Sequence, residues 1–297
     1  MLTGDPSAMH PNTASLQQLV DLLRGRRLAV LTGAGCSTES GIPDYRGEGT
    51  RRRARNPILY RAFVTDAAVR ARYWARSTLG WPRFARAQPN PGHYALARLE
   101  HAGLLTGLIT QNVDRLHHKA GSQRVLELHG NLATVRCLAC GYTIDREAFQ
   151  QWLLTLNPGW TRHAAELAPD GDAELPATLT IQFRVPDCPR CGGILKPDVV
   201  FFGENVPRER VEAARDLIAA AEVLLVAGSS LAVYSGYRFV LEAARQGKPI
   251  AIINLGPTRG DALATLRLKG RTGEVLPRLA NELLNQSRTL TPTLLGA

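Results

Sequence analysis

Apolar positions along the chain follow two alternating patterns. Short β-branched runs, Leu28–Thr32, Leu104–Thr110, Val223–Ala227 and Pro249–Ile253, predict buried strands. Between them, apolar residues recur three and four apart. Leu16, Leu19, Val20 and Leu23 predict a helix over Ser15–Arg24, with Ser15 as N-cap and Gly25 as its stop. Further helices are predicted from Asn90 to about Ala102, near Glu147–Leu156, and over Arg208–Ala221, Tyr237–Gln246 and Leu276–Leu284. Residues 47–89 are rich in arginine and interrupted by Pro57, Pro82 and Pro89, which reads as helical pieces and a mobile loop inserted into the main fold. The last dozen residues read as frayed. Strands alternating with helices imply an α/β fold, a Rossmann-like doubly wound parallel sheet covered on both faces.

Candidate chemistry gathers where these strands end. Leu28–Thr32 opens into Gly33-Ala34-Gly35-Cys36-Ser37-Thr38-Glu39-Ser40-Gly41-Ile42-Pro43-Asp44-Tyr45-Arg46. Glycines after a strand let the backbone approach a pyrophosphate, and free N–H groups at the next helix start hold its charge. Thr38 stands where the third glycine of the dinucleotide fingerprint belongs, so the glycines alone also fit an ordinary turn. The continuation changes the picture, because it sets an acid, an aromatic ring and an arginine on one loop. Leu104–Thr110 ends in Gln111-Asn112-Val113-Asp114, polar residues where open α/β sheets bind ligands; a helix cap by Asp114 is the competing reading. Val125–Leu128 leads to His129 and Gly130, a strand-end histidine placed to enter a cleft. Small residues at Gly228, Ser229 and Ser230 suit a phosphate or ribose, and Asn254 suits a ribose hydroxyl.

Five cysteines include two Cys-x-x-Cys pairs, Cys137 with Cys140 and Cys188 with Cys191. Four thiolates give the closed tetrahedral site of one structural zinc, which leaves Cys36 outside it. The 47 residues between the pairs exceed ribbon spacing, so the insert holds structure of its own.

The Gly33–Arg46 stretch closely resembles the signature of the sirtuins, the NAD-dependent protein deacylases, with Cys36 and Tyr45 as small departures. The resemblance runs from Leu28 to about Leu279. It implies NAD contacts from Gly33, Ala34, Gly35, Cys36, Thr38, Ile42, Pro43, Asp44, Tyr45 and Arg46. It adds Gln111, Asn112, Val113 and Asp114, then Gly228, Ser229, Ser230, Asn254, Leu255, Gly256 and Thr272. Leu-His-Gly matches the motif carrying the general base, which makes His129 the first choice as catalytic residue, with Asn112 beside it. Lys196–Glu204, expected to return the chain to the sheet, matches the stretch that pairs with an acyl-lysine peptide by β-augmentation. There Val200, Phe202, Gly203 and Glu204 line the substrate path, and Val233 with Tyr234 flanks the peptide on its other side. The implied division is residues 1–130 with 196–297 as the NAD-binding domain, 47–89 as its cofactor-loop insertion, and 131–195 as the zinc module. Within the family, Arg72-Tyr73-Trp74-Ala75-Arg76, Gly80-Trp81-Pro82, Ala168-Pro169-Asp170-Gly171-Asp172 and Val233-Tyr234-Ser235-Gly236-Tyr237-Arg238-Phe239 most resemble class II. Tyr73 and Arg76 would share a helix face and hold an acidic acyl group. The implied reaction moves the acyl group from lysine to ADP-ribose and releases nicotinamide.

Composition narrows the remaining choices. Over 297 residues, hydrophobic content of 44% and charged content of 21% describe an ordinary globular protein. The net charge of +10 admits an acidic partner, but residues 131–195 are not strongly basic, so nucleic acid is not the expected partner. The longest apolar stretch, around Leu217–Ala227, is interrupted by Glu222, which argues against a membrane span. No signal or transit peptide is recognisable in the first fourteen residues, and cysteines in metal spacing suit a reducing compartment, so a cytoplasmic location is expected. Mono-ADP-ribosyl transfer, hydride transfer and a zinc-ribbon nucleic-acid binder are the other readings.

Overall fold

A computed structural model of the protein describes residues 14–44, 57–163 and 175–289. Ser15 caps the first helix, α1 (Leu16–Leu23), through a reciprocal pair of bonds with Gln18. β1 (Leu28–Thr32) follows, then two single 3-10 turns in place of a helix. The order continues α2 (Tyr60–Thr65), α3 (Ala67–Arg86), α4 (Pro91–His101), β2 (Leu105–Thr110), α5 (Leu116–Lys119), β3 (Val125–Glu127) and β4 (Gly130–Cys137). It then runs β5 (Thr143–Asp145), α6 (Arg146–Leu156), α7 (Ala177–Thr180), β6 (Leu195–Val199), α8 (Arg208–Ala219) and β7 (Val223–Ala227). α9 (Tyr234–Arg245), β8 (Ile250–Ile253), β9 (Leu266–Leu268) and α10 (Thr272–Thr289) complete it.

Six strands form a parallel sheet in the order β3-β2-β1-β7-β8-β9. The chain moves outward from β1, then returns to β7 on its other side. The crevice beyond β1 and β7 is therefore the switch point where doubly wound sheets bind ligands. Alternation along β1 fills both faces. Leu28 and Val30 pack with Leu19, Leu96, Leu99 and Leu276, whereas Ala29 and Leu31 pack with Ile218, Phe239 and Val240. A third core joins Phe63 and Trp74 to Val135, Phe149, Trp160 and Leu195.

The structure revises several sequence expectations. Leu195–Val199 does not rejoin the parallel sheet. It pairs antiparallel with β4 in a three-stranded sheet, β5-β4-β6, with Cys137 opposite Leu195 and Gly130 opposite Val199. Cys137 ends β4 and Cys191 lies four residues before β6, so the four sulfurs gather at these strand ends. Pro82 does not break its helix. The carbonyl its missing N–H leaves free, Thr78 O, accepts from Gln150 Nε2 at 2.8 Å. α9 begins three residues earlier than expected, at Tyr234, with Gly236 of its first turn packed against the Gln111 side chain. α10 starts at Thr272, about one turn before the expected Leu276, and continues to Thr289. The Ala168–Asp172 segment lies outside the described residues.

Candidate active site

Loops after β1 and β7 form the floor of the crevice. Gly35 N–H donates to Gly228 O at 2.8 Å, and Gly228 N–H reaches back to Ile253 O at 2.9 Å. Gly228 holds φ +64, and a Cβ there would lie 2.4 Å from Cys36 N, so only glycine permits this approach. Gln111 Nε2 donates to Ser229 Oγ at 2.8 Å and to Thr32 O at 3.2 Å, tying the ends of β1, β2 and β7 together. Thr38 and Thr272 both donate to Gly35 O, at 3.1 and 3.3 Å. Asn254 follows β8, its Nδ2 donating to Gly256 O at 2.9 Å, while Leu255 is exposed. Thus Gly33, Ala34, Gly35 and Thr38 meet Gly228, Ser229, Ser230, Asn254 and Thr272 along adjoining strand ends. Ile42, Pro43 and Asp44 continue the first loop; Tyr45 and Arg46 lie outside the described residues. Peptide amides, small hydroxyls and one carboxamide are a donor set suited to a dinucleotide's phosphates and riboses.

Deeper in the crevice, Ser37 Oγ donates to Asp114 Oδ2 at 2.6 Å. Asn112 Nδ2 donates to Ser37 Oγ and to Gly33 O, each at 3.0 Å. Asp114 Oδ1 accepts Leu116 N–H at 2.9 Å, so this carboxylate satisfies the first N–H of α5, although the N-cap position itself is Arg115. Burial pushes the Asp114 carboxyl up, against the lowering effect of its bonds from Ser37 and Leu116. Its neighbour Arg115, a non-glycine at φ +60, sits on the strained turn that Val113 and Asp114 enter. Nothing in the sequence pattern singles out Ser37, although it lies within the signature.

His129 ends the run after β3. Its Nδ1 lies 2.9 Å from Gln111 O, which can only accept, so Nδ1 carries the ring proton and Nε2 the lone pair. Burial lowers the His129 pKa despite the Gln111 bond, and Arg210 and Arg238 push in the same direction, so the ring is neutral at pH 7. Val200 N–H donates to His129 O at 2.8 Å, which binds the stretch after β6 to the histidine. Glu204 accepts Phe201 N–H at 2.8 Å and pairs with Lys196 at 3.1 Å, shaping the Gly203 turn. Phe202 and Val233 are exposed, with Tyr234 beside Val233. Tyr73 and Arg76 are buried on α3, and the Tyr73 ring lies 5.2 Å from that of Phe201.

The sulfur atoms of Cys137, Cys140, Cys188 and Cys191 all lie within 4.8 Å of one another. Four thiols and no carboxylate or imidazole are the donor set of structural zinc. Backbone N–H groups, that of Cys140 foremost, draw the Cys137 thiol down to about 6, whereas hydrogen bonding with neighbouring thiols, that of Cys140 foremost, pushes Cys191 up to about 12. A dication resolves that conflict by stabilising all four thiolates. Cys36, His93 and His117 form a second buried group of the same compactness. It suits a metal poorly. His93 Nδ1 accepts Asn90 N–H, so the proton sits on Nε2, the nitrogen left to ligate. Burial, then Asp114, pushes the Cys36 thiol up to about 12.

Comparison with known proteins fits this geometry. Residues 33–235 match the model of the Sir2 family. The chain belongs to the Sir2 family. An NAD-dependent protein deacetylase of Xanthomonas axonopodis pv. citri (strain 306) is 54% identical over 262 residues, 88% of this chain and 89% of the relative. The mitochondrial NAD-dependent protein lipoamidase sirtuin-4 of Bos taurus is 53% identical over 265 residues, 88% of this chain and 84% of its own. A solved Sir2–p53 peptide–NAD+ complex superposes with a TM-score of 0.72 at 31% identity, covering 93% of this chain and 100% of that one. The sirtuin sequence thus accounts for both the parallel sheet and the four-cysteine cluster. Among the described residues, no helix is long and apolar enough to cross a membrane.

Proposed function

We infer that this sirtuin is an NAD-dependent protein lysine deacetylase whose general base is His129. The observation that carries this is the His129 ring, held at Nδ1 by the Gln111 carbonyl so that the Nε2 lone pair is the basic one. When bound, NAD supplies an ADP-ribosyl acceptor for the acyl group and releases nicotinamide. Ser37, Asn112 and Asp114 would hold the nicotinamide end, while Gly33–Gly35, Gly228–Ser230 and Asn254–Gly256 would hold phosphates and riboses. His129 Nε2 would take the proton of a ribose hydroxyl as that oxygen attacks the acyl carbon, a role suited to an imidazole kept neutral at pH 7. Val200–Glu204 and Val233–Tyr234 would receive the peptide as an added strand. The zinc module, residues 131–195, has all-protein ligands and would be structural.

Incubation of an acetyl-lysine peptide with and without NAD, read by mass spectrometry, tests this. Deacetylation only with NAD, together with nicotinamide and O-acetyl-ADP-ribose, is expected. NAD-dependent labelling of protein without deacetylation would favour mono-ADP-ribosyl transfer instead.

A finer reading concerns the acyl group. Tyr73 and Arg76 share a buried face of α3, and Tyr73 packs on Phe201, next to the Phe202 that would line the acyl path. The lipoamidase relative, at a similar degree of identity, supports a site open to larger acyl groups. We assign the chain to class II and expect acidic or longer acyl-lysines to compete with acetyl-lysine.

A further inference from the structure

Ser235 takes no part in the proposed deacetylation chemistry. It is the second residue of α9, and its Oγ lies 2.8 Å from His129 Nε2. Because Nδ1 carries the ring proton for the Gln111 carbonyl, Nε2 can only accept, and the Ser235 hydroxyl must donate. The contact depends on a close approach next door. A Cβ at Gly236 would stand 2.3 Å from Gln111 Oε1, so α9 begins directly against the residue whose carbonyl holds the other side of the ring. One segment, Gln111, thus fixes Nδ1 and receives the helix start that fixes Nε2.

We propose that Ser235 is a positioning residue, clamping the His129 ring opposite Gln111 and holding its lone pair on the crevice side until a substrate hydroxyl takes the place of Oγ. The proposal rests on the reading of His129 as base. An imidazole held at one nitrogen can still swing about its Cβ–Cγ bond. A second bond at the opposite nitrogen removes that freedom, so the ring meets the substrate already oriented. When the substrate hydroxyl arrives, Nε2 exchanges one O–H donor for another, and the number of hydrogen bonds to the ring is conserved. No covalent bond to Ser235 forms or breaks.

The role predicts a selective defect. Nicotinamide leaves before the base acts, so exchange of labelled nicotinamide into NAD, with acetyl-lysine peptide present, reports the site without the base. Deacetylation reports both. Ser235→Ala should lower kcat for deacetylation by about five- to tenfold, the effect of one neutral hydrogen bond on a barrier. KM for the peptide and nicotinamide exchange should stay within about twofold, and Ser235→Thr, which keeps the hydroxyl, should recover most of the rate. Unchanged deacetylation in S235A, or equal loss in both assays, would overturn the assignment. His129→Ala separates the two readings. If H129A deacetylates normally, the base assignment itself fails; if H129A is inactive and S235A normal, only Ser235 is wrong. Should S235A not fold, nitrogen-15 spectra of the wild type still decide. The His129 signals, identified by their loss in H129A, must show a protonated Nδ1 and an unprotonated Nε2, and the opposite tautomer refutes the clamp.

Discussion

Gly228→Ala measures how tightly the loops after β1 and β7 are joined. Gly228 holds φ +64, and an added Cβ would stand 2.4 Å from Cys36 N and 2.7 Å from Gly35 C. These are backbone atoms on a turn pinned by the 2.8 Å bond from Gly35 N–H to Gly228 O, so no side-chain rotation relieves the clash. Left-handed backbone alone costs an alanine about 1–2 kcal/mol. Overpacking a close contact adds about 1–3 kcal/mol. Gly25 supplies the control, since it holds φ +68 and an added Cβ would meet nothing within 4 Å. Urea unfolding of the zinc-loaded protein should show Gly25→Ala losing only the first amount and Gly228→Ala losing at least about 1 kcal/mol more. Affinity for NAD, measured by calorimetry, should fall in G228A alone, because relief of the clash must move the Gly33–Cys36 turn. Equal losses in the two variants, with NAD binding unchanged, would show that the loops are free to part.

His129→Ala should keep fold and zinc while losing deacetylation by on the order of a hundredfold or more, measured as peptide turnover. Cys188→Ser should lose zinc and thermal stability together, read by metal analysis and melting, and full activity without zinc would contradict a structural site. Burial lowers the His93 pKa to about 4, so the unfolded chain takes up a proton near 6.5 that the folded one refuses. Stability should therefore fall as pH drops from about 6.5 to about 4, by on the order of 3 kcal/mol from this group, and a shallower fall in His93→Gln, with buried His117 and His129 supplying the remainder, would confirm the source. Arg76→Met should weaken removal of glutaryl-like acyl groups more than acetyl in a competition assay, and equal losses would remove Arg76 from acyl selection.

The strands that position the crevice were legible because a fully buried parallel strand has no polar interruption. β1 and β7, with every residue buried, announce themselves in this way. β9, three residues long at the sheet edge and only partly buried, carries no such signal. Cysteine spacing was equally readable, since two residues between ligands is a local constraint. Pairing between distant segments was not. Pro82 reads as a helix breaker until Gln150, far along the chain, is seen to satisfy Thr78 O. Ser37 and Ser235 are silent in the sequence for a related reason. A lone hydroxyl has no periodicity, and the partners of these two lie 77 and 106 residues away in the chain. Gly236 hid α9's first turn, because a glycine at a helix start reads as loop until the neighbour that excludes a side chain is known.

The three-stranded sheet gives the distant metal site a mechanical connection to the crevice. β4 starts at Gly130, the residue after His129, and ends at the sulfur ligand Cys137. β6 runs antiparallel to it from Leu195, four residues after Cys191, to Val199, whose successor donates its N–H to His129 O. His129 and Val200 are therefore at the far ends of two strands whose near ends converge on the four cysteine sulfurs. Hydrogen bonds between β4 and β6 are interrupted from Gly130 to Val135, where the register shifts. The ladder is made on both sides of that gap, by the Gly130–Val199 pairing and the Val200–His129 bond at one end and by the Cys137–Leu195 pairing at the other, where a zinc ion on the four sulfurs would tie the strands further. A closed zinc site with no open position would therefore act on the crevice only through the alignment of β4 with β6, the separation of His129 from Val200 being set by their own hydrogen bond.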